Sequence, residues 1–599
     1  MIAALAVSDH CDVKPLMPRI AAHWLEALKA LQFSEGWPEG PSYWIYNRAE
    51  PYPLAADCFI SATGGREESA GVLIRSVMRK AGLWQLYQYG PNGVFEPYGD
   101  SAGSLRLGET GWWTVTMDHY AKVSQDPALA AAADFFRNRS PAPYGKRPYY
   151  WYIAVSYDPE LRPRSGYDPL RPEAWLSKNM PQSMLFGRRS YGVAFFRGQW
   201  GNPDELFASF KAGDLLAHHD HYDVGTFTIQ RGGNLVPQTG YYGSYFDEHR
   251  LGYQVQTVSA NSLLVLAPGE FSEYLAGNPK WWRWLSGGQR VISPTGFNCC
   301  SLEHFRKQLR NGPHLERAEI VSWESQPNLF DYVAADITAA YNSTVYCEHG
   351  NEPKVSLVTR QFLYLRSEEV FVIYDRVETT NPRFVPKFVL HSLSNPLTDH
   401  EELIVGDSDN GILETSDKVA TSGDGDGKLR TQVVLPEKAR ILKIGGPDYA
   451  FYVEYDGDQE DGFDGKNLTE GIRERGDGER LDQWRIEVEP DPVQRSTRYL
   501  IVLQPELAGN SRPVSVGRVQ SNPEVDCVRV GRATVAFARR DEAVRELQVG
   551  HRDSSDLLLL LDAVPGISYN VGDLRVEASK EGVLTVHNPP VGSIAIKAD

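Results

Sequence analysis

The segment His218-His219-Asp220-His221-Tyr222-Asp223-Val224-Gly225-Thr226-Phe227 places three imidazoles and two carboxylates within six residues. Imidazole serves as base, acid or metal ligand near neutral pH, and a nearby carboxylate selects which ring nitrogen carries the proton. The next residues, Thr226-Phe227-Thr228-Ile229, alternate and read as a strand. Strand alternation predicts His219, His221 and Asp223 on one face, with His218, Asp220 and Tyr222 on the other. One face would then offer a proton-transfer group, a metal ligand and an orienting carboxylate. The plainer alternative is a solvated turn before a strand.

A second candidate is Glu39-Gly40-Pro41-Ser42-Tyr43-Trp44-Ile45-Tyr46-Asn47-Arg48. Pro41 suits a helix first turn, and Glu39 stands just before the positive helix end. Tyr43 and Tyr46, three apart, are expected on one helical face. Either they pack, or a tyrosine is presented at a helix N-terminus that would stabilise its ionised form. Arg188, Arg189 and Arg197 fall on expected strands ahead of the histidines. Their guanidinium forks suit sugar carboxylate or sulfate, or a solvated face.

The elements that must position these groups fall into two regimes. Up to about residue 175 the apolar period is helical, as in Ile20, Trp24, Ala27, Leu28 and Leu31. Further helices are expected at about 41–62, 68–88, 110–123 and 127–138, joined by aromatic, Gly-rich loops such as Tyr98-Gly99-Asp100-Ser101. From about 180 the period becomes two, as in Val370-Phe371-Val372-Ile373-Tyr374, which predicts an all-β region of sandwich type. The expected organisation is multidomain, α then β: helices over 1–178, an antiparallel sandwich over 179–400, and a C-terminal β region over 401–599 that continues or adds to it. Gly/Asp-rich sequence around 405–427 reads as a loop or a boundary near 400.

Composition narrows the partners. At 599 residues the chain has room for two to four domains. Its formal net charge of −17 disfavours nucleic acid and anionic membrane, and admits a polyanion only where basic residues gather in a cleft. Fourteen Trp and 30 Tyr suit stacking on sugar faces or large β-rich cores. The six cysteines are scattered, with no CxxC pair, and read as reduced structural thiols. No stretch approaches a membrane span. The apolar start at residues 1–7 lacks a basic segment and a cleavage site, so it reads as a first helix rather than a secretion signal. Residues 456–462 and 423–427 are acidic and Gly-rich. The first resembles a calcium loop but lacks Gly at its sixth position and has Asn467 at its twelfth, so both read as acidic loops.

The helical-then-β order, Glu39-Gly40-Pro41-Ser42-Tyr43-Trp44 and His219-x-His221-x-Asp223-x-Gly225-x-Phe227 together resemble the heparinase II/III-like polysaccharide lyases. Thr239-Gly240-Tyr241-Tyr242, Asp331-Tyr332-Val333-Ala334-Ala335-Asp336 and Val372-Ile373-Tyr374-Asp375-Arg376-Val377 extend the resemblance from about residue 15 to at least 395. It implies an incomplete (α/α) toroid followed by antiparallel β-sandwich layers, and β-elimination on a uronic-acid polysaccharide of glycosaminoglycan or alginate type. Tyr43 would be acid/base and His219 the partner base or carboxylate contact. Tyr241, Tyr242 and Tyr253 would stand in reserve for that chemistry, and Glu39, Tyr46, Arg48, Arg188, Arg197 and Tyr242 would bind the anionic substrate.

The chain departs from that pattern in three ways. Tyr43 stands so near the start that the Asn or Asn-His contributor expected upstream is missing or supplied differently, as in an N-terminally shortened relative. The structural zinc the resemblance implies would use His221, with Asp223 beside it. The other two ligand positions hold Gln238 and Ala260, which bind zinc poorly or not at all. The family is usually periplasmic or secreted, and no secretion signal is recognisable. Two other readings remain: a toroid glycoside hydrolase using paired carboxylates such as Glu39 and Asp100, and a catalytically silent carbohydrate-binding relative.

Overall fold

The computed structural model describes residues 12–13, 15–63, 68–101, 112–140, 150–217, 219–243, 247–268, 270, 287–289, 301–311, 315–342, 347, 351–454, 465–469, 472, 482–510, 512–521, 523–551 and 557–599. His218, Cys11, Cys299, Cys300, the acidic loop at 456–462 and the apolar start lie outside the described residues. Cys58, Cys347 and Cys527 are free thiols. No described helix is long and apolar enough to cross a membrane.

Among the described residues, eight α-helices precede the first strand: α1 (Met17–Ser34), α2 (Pro41–Asn47), α3 (Pro51–Thr63), α4 (Glu68–Tyr87), α5 (Trp112–Ser124), α6 (Pro127–Arg139), α7 (Tyr150–Ser156) and α8 (Pro172–Asn179). The single helix expected at 41–62 is two. Pro51 lacks the N–H that would continue the ladder and turns the preceding residue away from helical geometry. The chain therefore breaks at 48–50 and restarts. The other starts follow ordinary rules: Asp126 caps α6 by accepting from the Ala128 N–H at 2.8 Å.

The first sheet explains how helices and sandwich become one body. Strands β1 (Ser183–Phe186), β2 (Val193–Arg197), β3 (Phe207–Lys211), β4 (Thr226–Gln230) and β5 (Asn234–Val236) pair antiparallel in that order. β2, β3 and β4 are buried along their whole length. Alternation divides them between two cores. Val193, Phe195 and Phe207 join the helical core of Trp44, Trp84, Trp113 and Phe135. Ala194, Phe196, Ala208 and Phe210 join Phe362, Phe371 and Ile373 of the sandwich.

The sandwich has a seven-stranded and a six-stranded antiparallel sheet. Strands on both sides of residue 400 share both sheets: Val370–Thr379 pairs with Ser496–Leu507, and Val385–Ser392 pairs with Trp484–Pro490. The Gly/Asp-rich 405–427 stretch is therefore neither a long loop nor a boundary. Its Gly and Asp residues sit at hairpin turns, between Glu402–Asp407 and Asn410–Thr415 and between Val419–Asp424 and Gly427–Leu435. Asp424 accepts from the Asn234 N–H at 2.8 Å, docking the second turn beside β5. After Leu507 the strands form separate five- and four-stranded sheets with their own core, including Val525, Leu547, Leu558 and Ile596.

Candidate active site

Three segments far apart in sequence meet on backbone groups. Gly40 caps α2 at φ 92°, and a Cβ there would lie 1.9 Å from the Tyr98 carbonyl oxygen. Gly99 has φ 58°, and its Cβ would lie 2.7 Å from the His219 carbonyl and 2.8 Å from that of Glu39. These positions demand glycine for both conformation and space. The Asp100 N–H donates to the His219 carbonyl at 3.0 Å, locking the junction. Next to Tyr43, Trp44 is fully buried and donates its indole N–H to Gln85 at 2.9 Å, which anchors α2.

Asp100 is the hub. Its carboxylate meets His219 Nδ1 at 2.6 Å and His221 Nε2 at 2.8 Å. It also accepts from Arg250 Nε at 3.1 Å and Nη2 at 2.6 Å. Burial alone would push this carboxyl up. The hydrogen bonds from both histidines and the charges of His221 and Arg250 prevail and hold it below the usual carboxylate range. Arg250 reaches in from a π-helical turn, Arg250–Gln254, a rare form that often marks functional sites.

The Tyr43 ring stacks on the His219 imidazole, with centroids 4.2 Å apart and 26° between planes. Burial, a hydrogen bond with Tyr242 and the charges of Asp100 and Glu39 push its phenol above the ordinary range. This corrects the expectation of a stabilised phenolate. α2 has only seven residues, too few to offset that environment.

The expected strand face is also corrected. Residues 219–224 are irregular, and β4 begins only at Thr226. His219 and His221 converge on Asp100, whereas Asp223 and Asp220 each accept from Lys211 Nζ at 2.6 Å. Arg317 completes this buried cluster, donating to Asp220 at 2.6 Å and to the His221 carbonyl at 2.5 Å. Lys211 and Arg317 thus clamp the histidine segment from behind. Lys211, Arg317 and Arg250 are not among the residues the sequence suggested for the site. A lysine closing the apolar strand Phe207–Lys211 was the available signal, because a buried lysine needs a carboxylate.

The remaining candidates scatter. Glu39 accepts from the Trp37 indole N–H at 2.8 Å, and the Arg48 guanidinium lies 5.1 Å from the centre of the Trp37 ring. Tyr46 is 59% exposed and Tyr43 half-buried, so the two do not share one environment. The Tyr242 ring lies 5.7 Å from the Arg250 guanidinium. Arg197 is a core residue, paired with Glu205 and sandwiched by Trp200 and Phe207 at 4.1 and 4.8 Å. It has no route to a substrate. Arg188 forks onto Glu581 at 2.9 and 2.7 Å, outside the Asp100 cluster. Tyr253 is buried, with its hydroxyl 3.1 Å from that of Thr239. Beside the cluster, a cleft of about 520 Å³ is lined by Trp37, Glu39, Arg48, Tyr52 and Ala217, with walls from α1 and α9 (Leu302–Asn311). Tyr43 and His219 adjoin this cleft in sequence without lining it.

The residues at the implied zinc position do not fit that metal. Ala260 has no donor, and the Gln238 amide oxygen faces the Thr226 hydroxyl at 3.5 Å. His221 Nδ1 and Asp223 Oδ2 are the donors left, and the Lys211 ammonium already neutralises Asp223. His249, a further imidazole that could have served, accepts from the Tyr241 N–H at 2.9 Å and engages the Leu468 carbonyl at 2.6 Å, which occupies both ring nitrogens. Among the described residues no group of three or more His, Cys, Asp or Glu is arranged to hold a metal. Protein purified without chelator should carry far less than one zinc per chain. One tightly held zinc, with unfolding on chelation, would overturn this assignment.

Burial pushes the His249 imidazole down to about 4, although the Leu468 carbonyl opposes the shift. The unfolded chain takes up this proton near pH 6.5 and the folded chain does not. His249's contribution is therefore complete above about pH 6.5 and is lost as pH falls toward 4. The stability difference between wild type and His249→Gln should shrink by about 2 kcal/mol from pH 7 to pH 5. Urea unfolding of both proteins at the two pH values measures it. A constant difference would mean that His249 is not held neutral.

No protein-family model matches the chain, and no curated protein matches it. Among solved structures it is similar to heparan sulfate lyase HepC from Pedobacter heparinus, at 12% identity and TM-score 0.44, over 82% of this chain and 56% of that one. It is similar to a heparinase III gene product at 12% identity and TM-score 0.46, over 83% and 57%. A Paenibacillus xanthan lyase aligns at 8% identity and TM-score 0.31, over 92% and 50%. The chain spans 50–57% of the length of these structures.

Proposed function

We propose that the protein is a polysaccharide lyase acting on a uronic-acid polysaccharide of glycosaminoglycan or alginate type by β-elimination, its helical part an incomplete (α/α) toroid. The observation that carries this reading is the Tyr43 ring stacked on His219 while Asp100 holds His219 Nδ1. A carboxylate on Nδ1 makes it the protonated nitrogen and leaves the lone pair on Nε2, as a general base requires. A phenol kept neutral suits the complementary acid.

In the proposed reaction His219 Nε2 removes the uronate C5 proton. The C–H electron pair becomes the C4–C5 double bond, the C4–O4 bond breaks, and Tyr43 protonates the departing O4. A hydrogen-bond donor or cation must take up charge on the C6 carboxylate as the enolate-like intermediate forms. Tyr242, beside Tyr43 and close to Arg250, is the assigned donor.

The hydrolase alternative asks Asp100 to attack or to donate a proton. A carboxylate engaged by two imidazoles and a guanidinium does neither, which leaves Glu39 without its partner. The test is a turnover screen on heparan sulfate, chondroitin, hyaluronan and alginate, followed by ultraviolet absorbance. An unsaturated, absorbing product is expected. Saturated reducing ends would return the hydrolase reading, and binding without turnover the silent one.

A further inference from the structure

Basic residues from three separate segments gather on one groove beside the cleft. This groove, of about 610 Å³, is lined by Lys29 of α1, Arg188 and Arg189 of the turn after β1, and Arg306 of α9. Phe33 and Leu302 line both groove and cleft, so the two run into each other. Nearby carboxylates are already engaged. Glu35 pairs with Lys80 at 3.2 Å and accepts from the Gly187 N–H at 2.9 Å, Glu581 neutralises the Arg188 fork, and Glu26 pairs with Lys29 at 3.5 Å, so the unmatched charge of the groove comes from Arg189 and Arg306. Arg189 and Arg306 are exposed, and among the described residues neither has a carboxylate partner. The Arg306 guanidinium lies 4.7 Å from the centre of the Phe33 ring, which also lines the groove.

A chain of net charge −17 repels polyanions as a whole, so this local reversal of sign is a means of capture. Guanidinium forks match the oxygens of sulfate and carboxylate. We infer that the groove binds a densely charged segment of the glycan, with sulfate or carboxylate on adjacent rings, while the bond to be cut lies at Tyr43 and His219. This rests on the proposed lyase reading for its glycan but not for its test. A polymer with one carboxylate on every second ring and no sulfate would fill the groove and leave cations unmatched.

The test measures binding calorimetrically in Tyr43→Phe protein, so that turnover does not intrude. The ligands are oligosaccharides of heparan sulfate, alginate and hyaluronan long enough to span cleft and groove. At least one of the first two should bind more tightly than hyaluronan, and Arg189→Ser/Arg306→Ser should weaken it by about tenfold or more. Which of the two responds identifies sulfate or carboxylate as the ligand. Unchanged affinity in the double variant, equal affinity for hyaluronan, or no binding would each overturn the groove. Both arginines are exposed, and circular dichroism of the double variant checks that the fold is kept. Charge-dependent binding by a protein that turns over none of the polymers would uphold the groove and sink the lyase reading.

Discussion

Replacing Tyr43 by Phe should lower turnover by about 10²–10⁴-fold, the usual contribution of a positioned proton-transfer group. That corresponds to about 3–5 kcal/mol of transition-state stabilisation. The substitution removes one hydroxyl and keeps the ring, so stacking on His219 and the anchorage of α2 through Trp44 persist. The lost hydrogen bond with Tyr242 is half-buried and should cost about 1 kcal/mol of stability. Steady-state rates and oligosaccharide affinity measured on one preparation separate the two effects. A loss of only a few-fold would remove Tyr43 from proton transfer and make Tyr242 the next candidate.

Asp100→Asn should damage both stability and turnover. The wild-type carboxylate engages His219, His221 and Arg250 at once. An amide has one acceptor oxygen and places an N–H where an acceptor is needed, leaving the nearly buried Arg250 guanidinium without its counter-charge. Breaking a buried pair in this way costs about 3–5 kcal/mol. Turnover should fall about 10²-fold or more, because Asp100 holds Nδ1 of His219, the proposed base. Loss of the carboxylate also leaves His219 Nδ1 without the partner that orients the ring, so the defect should fall on kcat more than on KM. A folded variant with kcat unchanged would reduce Asp100 to a structural role.

Much of the architecture was legible in the sequence because it is written in short-range periodicity. α4 and α6 lie close to the spans expected from helical spacing, and the switch to alternating residues near 180 coincides with β1. The pairing of Tyr43 with His219 was expected through a resemblance of motifs, since nothing local brings residues 43 and 219 together. What the sequence left undetermined is long-range. Gly/Asp-rich turns at 405–427 look alike whether they end a domain or close hairpins within one sandwich, and only the partner strands decide. Arg197 and Arg188 look like exposed recognition residues until Glu205 and Glu581 arrive from elsewhere in the chain to neutralise them. The segment around His219 alternates on paper but runs irregularly in space. Its shape is imposed by Asp100 in front and by Lys211 and Arg317 behind, through charges that periodicity does not encode. The protonation state of Tyr43 was decided the same way, because burial and neighbouring charge are properties of the assembled site and not of the helix that carries the residue.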